Sequence, residues 1–427
     1  MRDTTFREPY PAAEGLPAPM DKGLAGRLSA AYSWSGGGFV PHGFEFVSRV
    51  GPAGSGSATA RDMAVYMQML LADGRLGDAK IFGPQTATAF RTPLLPAQFS
   101  NGWAHGFMMS SLPGGLRGYG HPGATGFFLS NMVLEPKSGL GVFVVTNTDT
   151  GRPLTARLPE LIVQHLQGVQ PIMRPGVPAL AEQRAQLSGY YLTTRRAYDG
   201  LEKFVSLLAS AGGTVSVSRG GYLVTRTGPV VQSWIPDGAP GRFVSATGDQ
   251  RIEFVYGPNG RAVSYRPSNG MSQMERASPI ESPQLLQILA ALVLIACIAA
   301  WVGLFTRSRR DQNPSRAQKL SNAGALAAAA LWIAAFVGMT LWGMSAGQRE
   351  ALVYGFPVPF LRSASGAALA ATITSVLLLA AAPLTWRGSK LTGAWTLGRK
   401  FRHSLTLILF TAFGAVLAAW GALFPWA

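Results

Sequence analysis

A single cysteine, Cys297, stands in the whole 427-residue chain, so no intrachain disulfide forms and no thiolate cluster holds a metal. The five histidines, His42, His105, His121, His165 and His403, show neither HExxH nor paired spacing with carboxylates, which removes the common zinc signatures. A P-loop and a strand-preceded GxGxxG are both missing, so nucleotide binding lacks support and no cofactor is expected. The G-x-S-x-G nucleophile elbow is absent as well. A second serine chemistry uses S-x-x-K, in which one helical turn sets a lysine beside the serine to take its proton. Seven lysines allow a complete check: the residues three places before them are Pro19, Gly77, Leu134, Gly200, Arg316, Arg387 and Leu397, and none is serine. The tyrosine-bearing stretch AYSWSGGG at 31–38 is not Y-x-N. Nor does the opening MRDTTFREPYP carry the apolar core of an export signal.

Charge is scarce too, at 14% of residues, while 48% are hydrophobic. The surplus of apolar residues is concentrated in four runs without a charged side chain, Leu285–Phe305, Ala323–Met344, Ala364–Leu384 and Leu405–Phe424. A bilayer crossing needs about 20 such residues. Buried helices of a water-soluble core would have to be apolar around their whole circumference, so four transmembrane helices are expected. Arg307, Arg309, Arg310, Arg316 and Lys319 lie between the first two runs, and Arg387, Lys390, Arg399, Lys400 and Arg402 between the last two. The loop between the second and third has only Arg349 and Arg362. The positive-inside rule then places the first and third loops in the cytoplasm and residues 1–280 outside. Ten of the basic residues behind the net charge of +16 belong to those two loops. The basicity is a topology signal, and no nucleic-acid partner is expected. Gln287, Thr340 and Thr372 are scattered polar residues in the runs, which fits an anchor better than an ion path.

The remainder divides into three parts. Residues 1–168 mix strand-like and helix-like pieces. Thr59, with Asp62 three residues on, starts a helical pattern in ARDMAVYMQMLLADG that stops at Gly74. GFFLSNMVLEPKSGLGVFVVTN reads as two strands, Phe127–Leu134 and Gly141–Thr146, joined by a tight Pro136–Gly139 turn, and LTARLPELIVQHLQG as a closing helix. The proline density of residues 169–187 is that of a linker. From Gly189 to about Arg266, short alternating segments with glycine turns indicate a small antiparallel sandwich or barrel.

GYGHPGATGFF at 118–128 sets His121 among small residues just before an apolar run. Two readings are open: a turn that happens to contain a histidine, or an active-site edge whose glycines let a substrate lie against the backbone. MRDTTF at 1–6, SATARDMAVYMQMLLADGRL at 57–76 and YGHPGATGFFLSNMVLEPKSGLGVFVVTN at 119–147 resemble three successive blocks of the penicillin-recognising serine hydrolases. That family covers class C β-lactamases, D-Ala-D-Ala carboxypeptidases and related esterases. His121-Pro122-Gly123 falls where the family has K-T-G or H-x-G. Residues 189–266 look like the lipocalin-like domain that often follows the hydrolase domain.

The resemblance implies an α+β partial β-lactamase/transpeptidase-like domain over 1–168, a linker over 169–187, a lipocalin-like β-domain over 188–280 and four transmembrane helices over 281–427. It implies a membrane-anchored serine hydrolase of the bacterial inner membrane, facing the periplasm or exterior, acting on cell-wall peptides, β-lactams or small esters. By position, the amide of Ala124 would help hold an oxyanion, and His121 would stand near the substrate carboxylate as a donor or electrostatic aid. Gly123 and Gly126 would permit close approach, and Thr125 would line the site. Tyr32, Trp34 and Trp103 are aromatics of the same region that fit a core as well as a cleft wall.

The departure from the family matters equally. The family's S-x-x-K and Y-x-N precede the block that MRDTTF resembles, so a longer parent protein is expected, with an unpaired sheet edge where its earlier strands would pack. The chain as given is expected not to acylate. A non-catalytic ligand-binding module and a membrane partner protein are the alternative readings.

Overall fold

The computed structural model describes residues 1–12, 17–47, 51–94, 102–208, 212–268, 270, 272–305, 314–346, 359–387 and 395–426. Two compact units result, Met1–Arg195 with Gly212–Arg276, and Arg196–Ala211 with Ala277–Ala427.

The first unit begins with a short helix α1 (Lys22–Ala25), a hairpin of β1 (Ala31–Ser35) and β2 (Gly38–His42), a turn of helix α2 (Gly51–Gly54) and helix α3 (Ala60–Leu71). Thr59 caps α3 as expected, its hydroxyl accepting from the Asp62 amide at 3.2 Å. The Asp62 carboxylate does not complete a capping box. It accepts from the amides of Arg2 and Asp3, at 3.3 and 2.8 Å, and from the Thr4 hydroxyl at 2.7 Å, fastening the first residues to the helix. Gly74, the expected stop, is obligatory: its φ is +88° and a Cβ there would lie 2.5 Å from the Phe82 carbonyl oxygen. The small β3 (Arg75–Leu76) and β4 (Ala79–Lys80) and helix α4 (Pro84–Phe90) come after it.

Next comes a five-stranded antiparallel meander: β5 (Trp103–Ala104), β6 (Phe107–Leu112), β7 (Leu116–Ala124), β8 (Leu129–Glu135) and β9 (Leu140–Thr146). The expected hairpin at 127–146 is the β8–β9 pair, its turn held by the Glu135 carboxylate accepting from the Lys137 and Ser138 amides, each at 2.8 Å. Alternate residues serve opposite faces. Met109, Tyr119, Met132 and Leu134 pack with Met67 and Leu70 of α3, while Leu112, Val133 and Val142 pack with Val163 of helix α5 (Arg152–Leu166). The outer edge of β9 has no strand partner among the described residues. Tyr32 touches the chain only beyond its end, in a bridge to Thr148.

The proline-rich segment expected to be a linker is built into the β-barrel instead. It carries helix α6 (Arg184–Leu187), and Leu180 and Leu187 belong to the barrel core. Arg174 donates to the Ser245 and Gly248 carbonyls at 2.7 and 2.5 Å and pairs with Asp249 at 3.2 Å. The barrel is closed and runs in sequence order: β10 (Gly189–Thr193), β11 (Gly212–Val217), β12 (Leu223–Thr227), β13 (Val230–Pro236), β14 (Arg242–Ser245), β15 (Arg251–Tyr256), β16 (Ala262–Arg266) and β17 (Met274–Arg276), which pairs back to β10. Its interior is filled by Tyr191, Trp234, Phe243, Phe254 and Tyr265. Arg276 locks the closure, donating to the carbonyls of Ala262 and Ser188 and to the Tyr191 hydroxyl.

The second unit contains the amphipathic helix α7 (Gly200–Leu208) and the helices α8 (Pro283–Phe305), α9 (Arg316–Ala346), α10 (Pro359–Ala380), α11 (Ala382–Arg387) and α12 (Leu397–Ala419). Four of these, α8, α9, α10 and α12, are long and apolar enough to cross a bilayer. The third run breaks at Ala381, before Pro383. The fourth starts at Leu397 and stops at Ala419, so its first turns carry Arg399, Lys400 and Arg402. Small residues let the helices approach: a Cβ on Gly414 of α12 would fall 2.4 Å from the Thr372 side chain of α10. Thr340 and Thr372 bond carbonyls of their own helices, at 2.9 and 2.7 Å. Of the loop cations counted for topology, Arg307, Arg309, Arg310, Arg349 and Lys390 lie outside the described residues.

Candidate active site

Strand β7 is longer than its neighbour on one side. Residues Leu116–Gly120 pair with β6, and residues Tyr119–Ala124 pair with β8. Among the described residues, His121, Pro122, Gly123 and Ala124 are therefore paired on one side only, and they are exposed. The two-residue period puts His121 and Gly123 on the face that carries α3, and Pro122 and Ala124 on the other. On the α3 face lies an open cleft of about 470 Å³. Its walls are largely apolar, with Met63 of α3, Phe90, Phe107, Met132 and Phe143, and its polar groups are Tyr66 of α3, His105, His121 and Ser130. A short apolar group fits such walls, with the few polar groups fixing its orientation.

The tautomer of His121 is set by its bonding. Its Nδ1 lies 2.5 Å from the Pro122 carbonyl oxygen, which can only accept, so neutral His121 carries its proton on Nδ1 and its lone pair on Nε2. Neutral His121 thus offers a base or acceptor, and becomes a donor at Nε2 only when protonated. The expected role as donor is the protonated half of that behaviour. Trp103 stands edge-on to the ring, centroids 5.7 Å apart. Tyr66 is held above its ordinary phenol range by burial, so in neutral solution it keeps its proton and serves as a donor.

Gly123 is a close-approach glycine, since a Cβ there would lie 2.5 Å from Ser130 Oγ on the facing strand. The other expected site residues lie elsewhere. Ala124, Thr125 and Gly126 do not line the cleft. Thr125 donates its hydroxyl to Glu45 at 2.6 Å and accepts from the Phe128 amide at 3.2 Å, while Glu45 also takes the Phe127 amide at 2.9 Å. A carboxylate 80 residues earlier thus occupies the hydroxyl that the resemblance implied would line the site. Tyr32 and Trp34 belong to the β1–β2 hairpin and are absent from the cleft wall.

His105 is the residue that sequence reasoning passed over. It and Gly106 form the two-residue turn between β5 and β6, with φ values of +41° and +89°. Both central positions of such a type I′ turn need positive φ, which favours Asn-Gly or Gly-Gly. A histidine there is strained by about 1–2 kcal/mol, and the strain presents its ring to the cleft. The only advance signal was an AHGF stretch between two apolar pieces. Among the described residues, no group of three or more histidine, cysteine, aspartate or glutamate side chains could hold a metal ion.

Residues 1–167 match the Beta-lactamase family and form a domain of that family. No curated protein matches the chain. Among solved structures it is similar to the crystal structure of SurE, at 20% identity with a TM-score of 0.35, over 64% of this chain and 59% of that one. A second crystal structure, SurE with D-Leu, is similar at 21% identity and a TM-score of 0.29, over 52% and 50% of the two chains. The octameric penicillin-binding protein homologue from Pyrococcus abyssi is similar at 15% identity and a TM-score of 0.30, over 60% and 55%. The chain thus spans less than two thirds of the length of each of these structures.

Proposed function

We propose that the cleft on the α3 face is one wall of a serine-hydrolase active site for amides or esters. Cell-wall peptides, β-lactams and small esters are the substrate classes. The observation that carries this is the half-paired end of β7, where His121 and Gly123 open onto an apolar cleft. An extended substrate would lie along that free edge, its acyl group against Met63, Phe90, Phe107 and Phe143. His121 Nε2 would accept from it when neutral, or donate to its carboxylate when protonated. Ala124 stands at the end of the same strand, and its amide is the position-based oxyanion donor.

Neither S-x-x-K nor Y-x-N is present in the sequence. We therefore assign this chain substrate binding without acylation, and turnover to a form of the protein that supplies the serine and its base. Residues 188–280 are proposed to be a lipocalin-like domain acting as a structural module, because bulky side chains fill its interior. Residues 281–427 are proposed to anchor the chain in the bacterial inner membrane through α8, α9, α10 and α12, with residues 1–280 on the outer side.

Calorimetry with an N-acyl-D-alanyl peptide and with a hydrolysed penicillin tests the site. One hydrogen bond to a charged group is worth ~10–100-fold in affinity. His121→Ala is expected to weaken binding by at least tenfold, and intact-mass spectra after fluorophosphonate treatment should show no adduct. Equal binding by wild type and His121→Ala would remove the cleft from the proposal, and a stable adduct would overturn the non-acylating assignment.

A further inference from the structure

Among the described residues, one end of the long helices carries six cations: Arg316 and Lys319 at the start of α9, Arg387 at the end of α11, and Arg399, Lys400 and Arg402 in the first turns of α12. Among the described residues no carboxylate pairs with Arg316, Lys319, Arg387 or Arg402. Beyond Glu281 the sequence has only Asp311 and Glu350, and both lie outside the described residues.

Side-chain bonds show that these segments share one end. Gln318, fully buried, donates to the Thr385 carbonyl at 3.1 Å and accepts from the amides of Ser315 and Trp395 at 3.2 and 3.4 Å. Ser321 Oγ and His403 Nε2 lie 2.7 Å apart. Arg399 reaches Asn322 at 3.2 Å and lies over the Trp395 ring at 4.6 Å, while Lys400 donates to the Trp386 carbonyl at 2.8 Å. A buried, satisfied network therefore holds the starts of α9 and α12 and the end of α11 together. Four of the cations, Arg316, Lys319, Arg387 and Arg402, have their side chains exposed at that end.

Trp386, half-buried, donates its indole N–H to Ser404 at 2.9 Å, and Trp395 is buried in the same network. Both α9 and α12 also begin there, adding the positive ends of two helix dipoles. Four exposed cations beside two helix-dipole ends describe a receptor for phosphate-bearing anions at a bilayer surface.

We propose that this end of the bundle binds the headgroups of anionic phospholipids. The inference rests on the membrane anchoring proposed above and adds a ligand class and a place to it. The alternative source of the same chemistry is a free phosphate in solution.

The test uses the full chain. After reconstitution into phosphatidylcholine vesicles, flotation at alkaline pH first reports integration. The detergent-solubilised protein is then titrated with phosphatidylglycerol, with phosphatidylcholine and with inorganic phosphate, reading the unfolding temperature and, by native mass spectrometry, bound lipid. Flotation, together with stabilisation and retention specific to phosphatidylglycerol, is the expected result. A quadruple variant, Arg316→Gln, Lys319→Gln, Arg387→Gln and Arg402→Gln, leaves the Gln318, Ser321 and Arg399 bonds intact. Each cation near an anionic surface contributes about fivefold, so the variant should bind phosphatidylglycerol at least tenfold more weakly while keeping the wild-type unfolding temperature without lipid. Failure to float overturns the anchoring and this inference together. Flotation with equal response to the two lipids, an unchanged quadruple variant, or the same stabilisation by inorganic phosphate overturns the headgroup site alone.

Discussion

The two β-regions of the first unit finish their edges in opposite ways. The barrel β10–β17 returns to its first strand and has no edge, and its interior is filled by Trp234, Phe243, Phe254, Tyr191 and Tyr265. Among the described residues, the five-stranded sheet leaves one side of half of β7 and the outside of β9 unpaired, and its cleft holds four polar side chains and a strained turn. Closure pairs every strand of the barrel, and bulky side chains fill the interior. An open edge keeps backbone groups and a histidine available, and asks other contacts to stabilise the fold. On the proposed reading, the difference puts stability in one region and recognition in the other.

The largest expected effect breaks the closed region. Trp234 is 1% exposed, and its indole N–H donates to Thr225 at 2.9 Å. Trp234→Ala removes a large core side chain and leaves the Thr225 hydroxyl without this donor. It should cost about 3–5 kcal/mol, read as a fall in the denaturant midpoint by near-ultraviolet circular dichroism. Affinity for a cleft ligand should be unchanged while the protein remains folded. A parallel loss of affinity would show that the regions do not divide their work in this way.

Strain in the open region gives a smaller effect of opposite sign. His105→Gly relieves a left-handed backbone at φ +41° and should stabilise the protein by about 1 kcal/mol in the same measurement. It should also weaken cleft binding, because the imidazole is lost. A stability gain without a binding loss would make His105 only a turn residue.

The closed and open regions were not equally legible. Alternation with glycine turns announced the barrel, and Thr59 and Gly74 bracketed α3, because these signals are local. Barrel closure was not local. The strand Met274–Arg276 is three residues long, and Leu180 and Leu187 sit in a segment whose prolines suggested a tether. The glycine-rich setting of His121 is local and visible in the sequence, whereas the bond of Thr125 to Glu45 joins positions 80 residues apart and is not. The β1–β2 hairpin, turned at Gly36 and Gly37 with φ values of +59° and +86°, was hidden in a stretch weighed only as a possible Y-x-N. The long apolar helices were the plainest feature, since length and composition suffice for them. Their polar end was not, because it assembles from three separate segments.

The finest comparison between the two regions is their response to acid. Glu160 of α5 bonds Arg157 at 3.1 Å and Gln250 of the barrel region, and burial holds its carboxyl above the ordinary range. The folded state binds that proton more tightly than the unfolded chain, so the contribution is fully present below the unfolded value of about 4.5 and is lost as pH rises through the raised folded value. Asp62 is the reverse case. The Thr4 hydroxyl and the amides of Asp3 and Arg2 hold its carboxyl below the ordinary range, so its contribution is present above about 3.8 and is lost as pH falls through the depressed value. Acidification should therefore tighten the contact between α5 and the barrel while it loosens the first residues from α3. Amide hydrogen exchange from pH 7 to pH 2 reads both: protection around Gln250 should rise by pH 4, while protection of the Arg2 and Asp3 amides should hold to about pH 4 and fall only below about 3.8. Glu160→Gln should abolish the first trend and leave the second, by a few tenths of a kcal/mol at neutral pH, the scale of a partly exposed surface substitution. Both trends in the same direction would mean that these two carboxyls do not set the acid response of the regions they join.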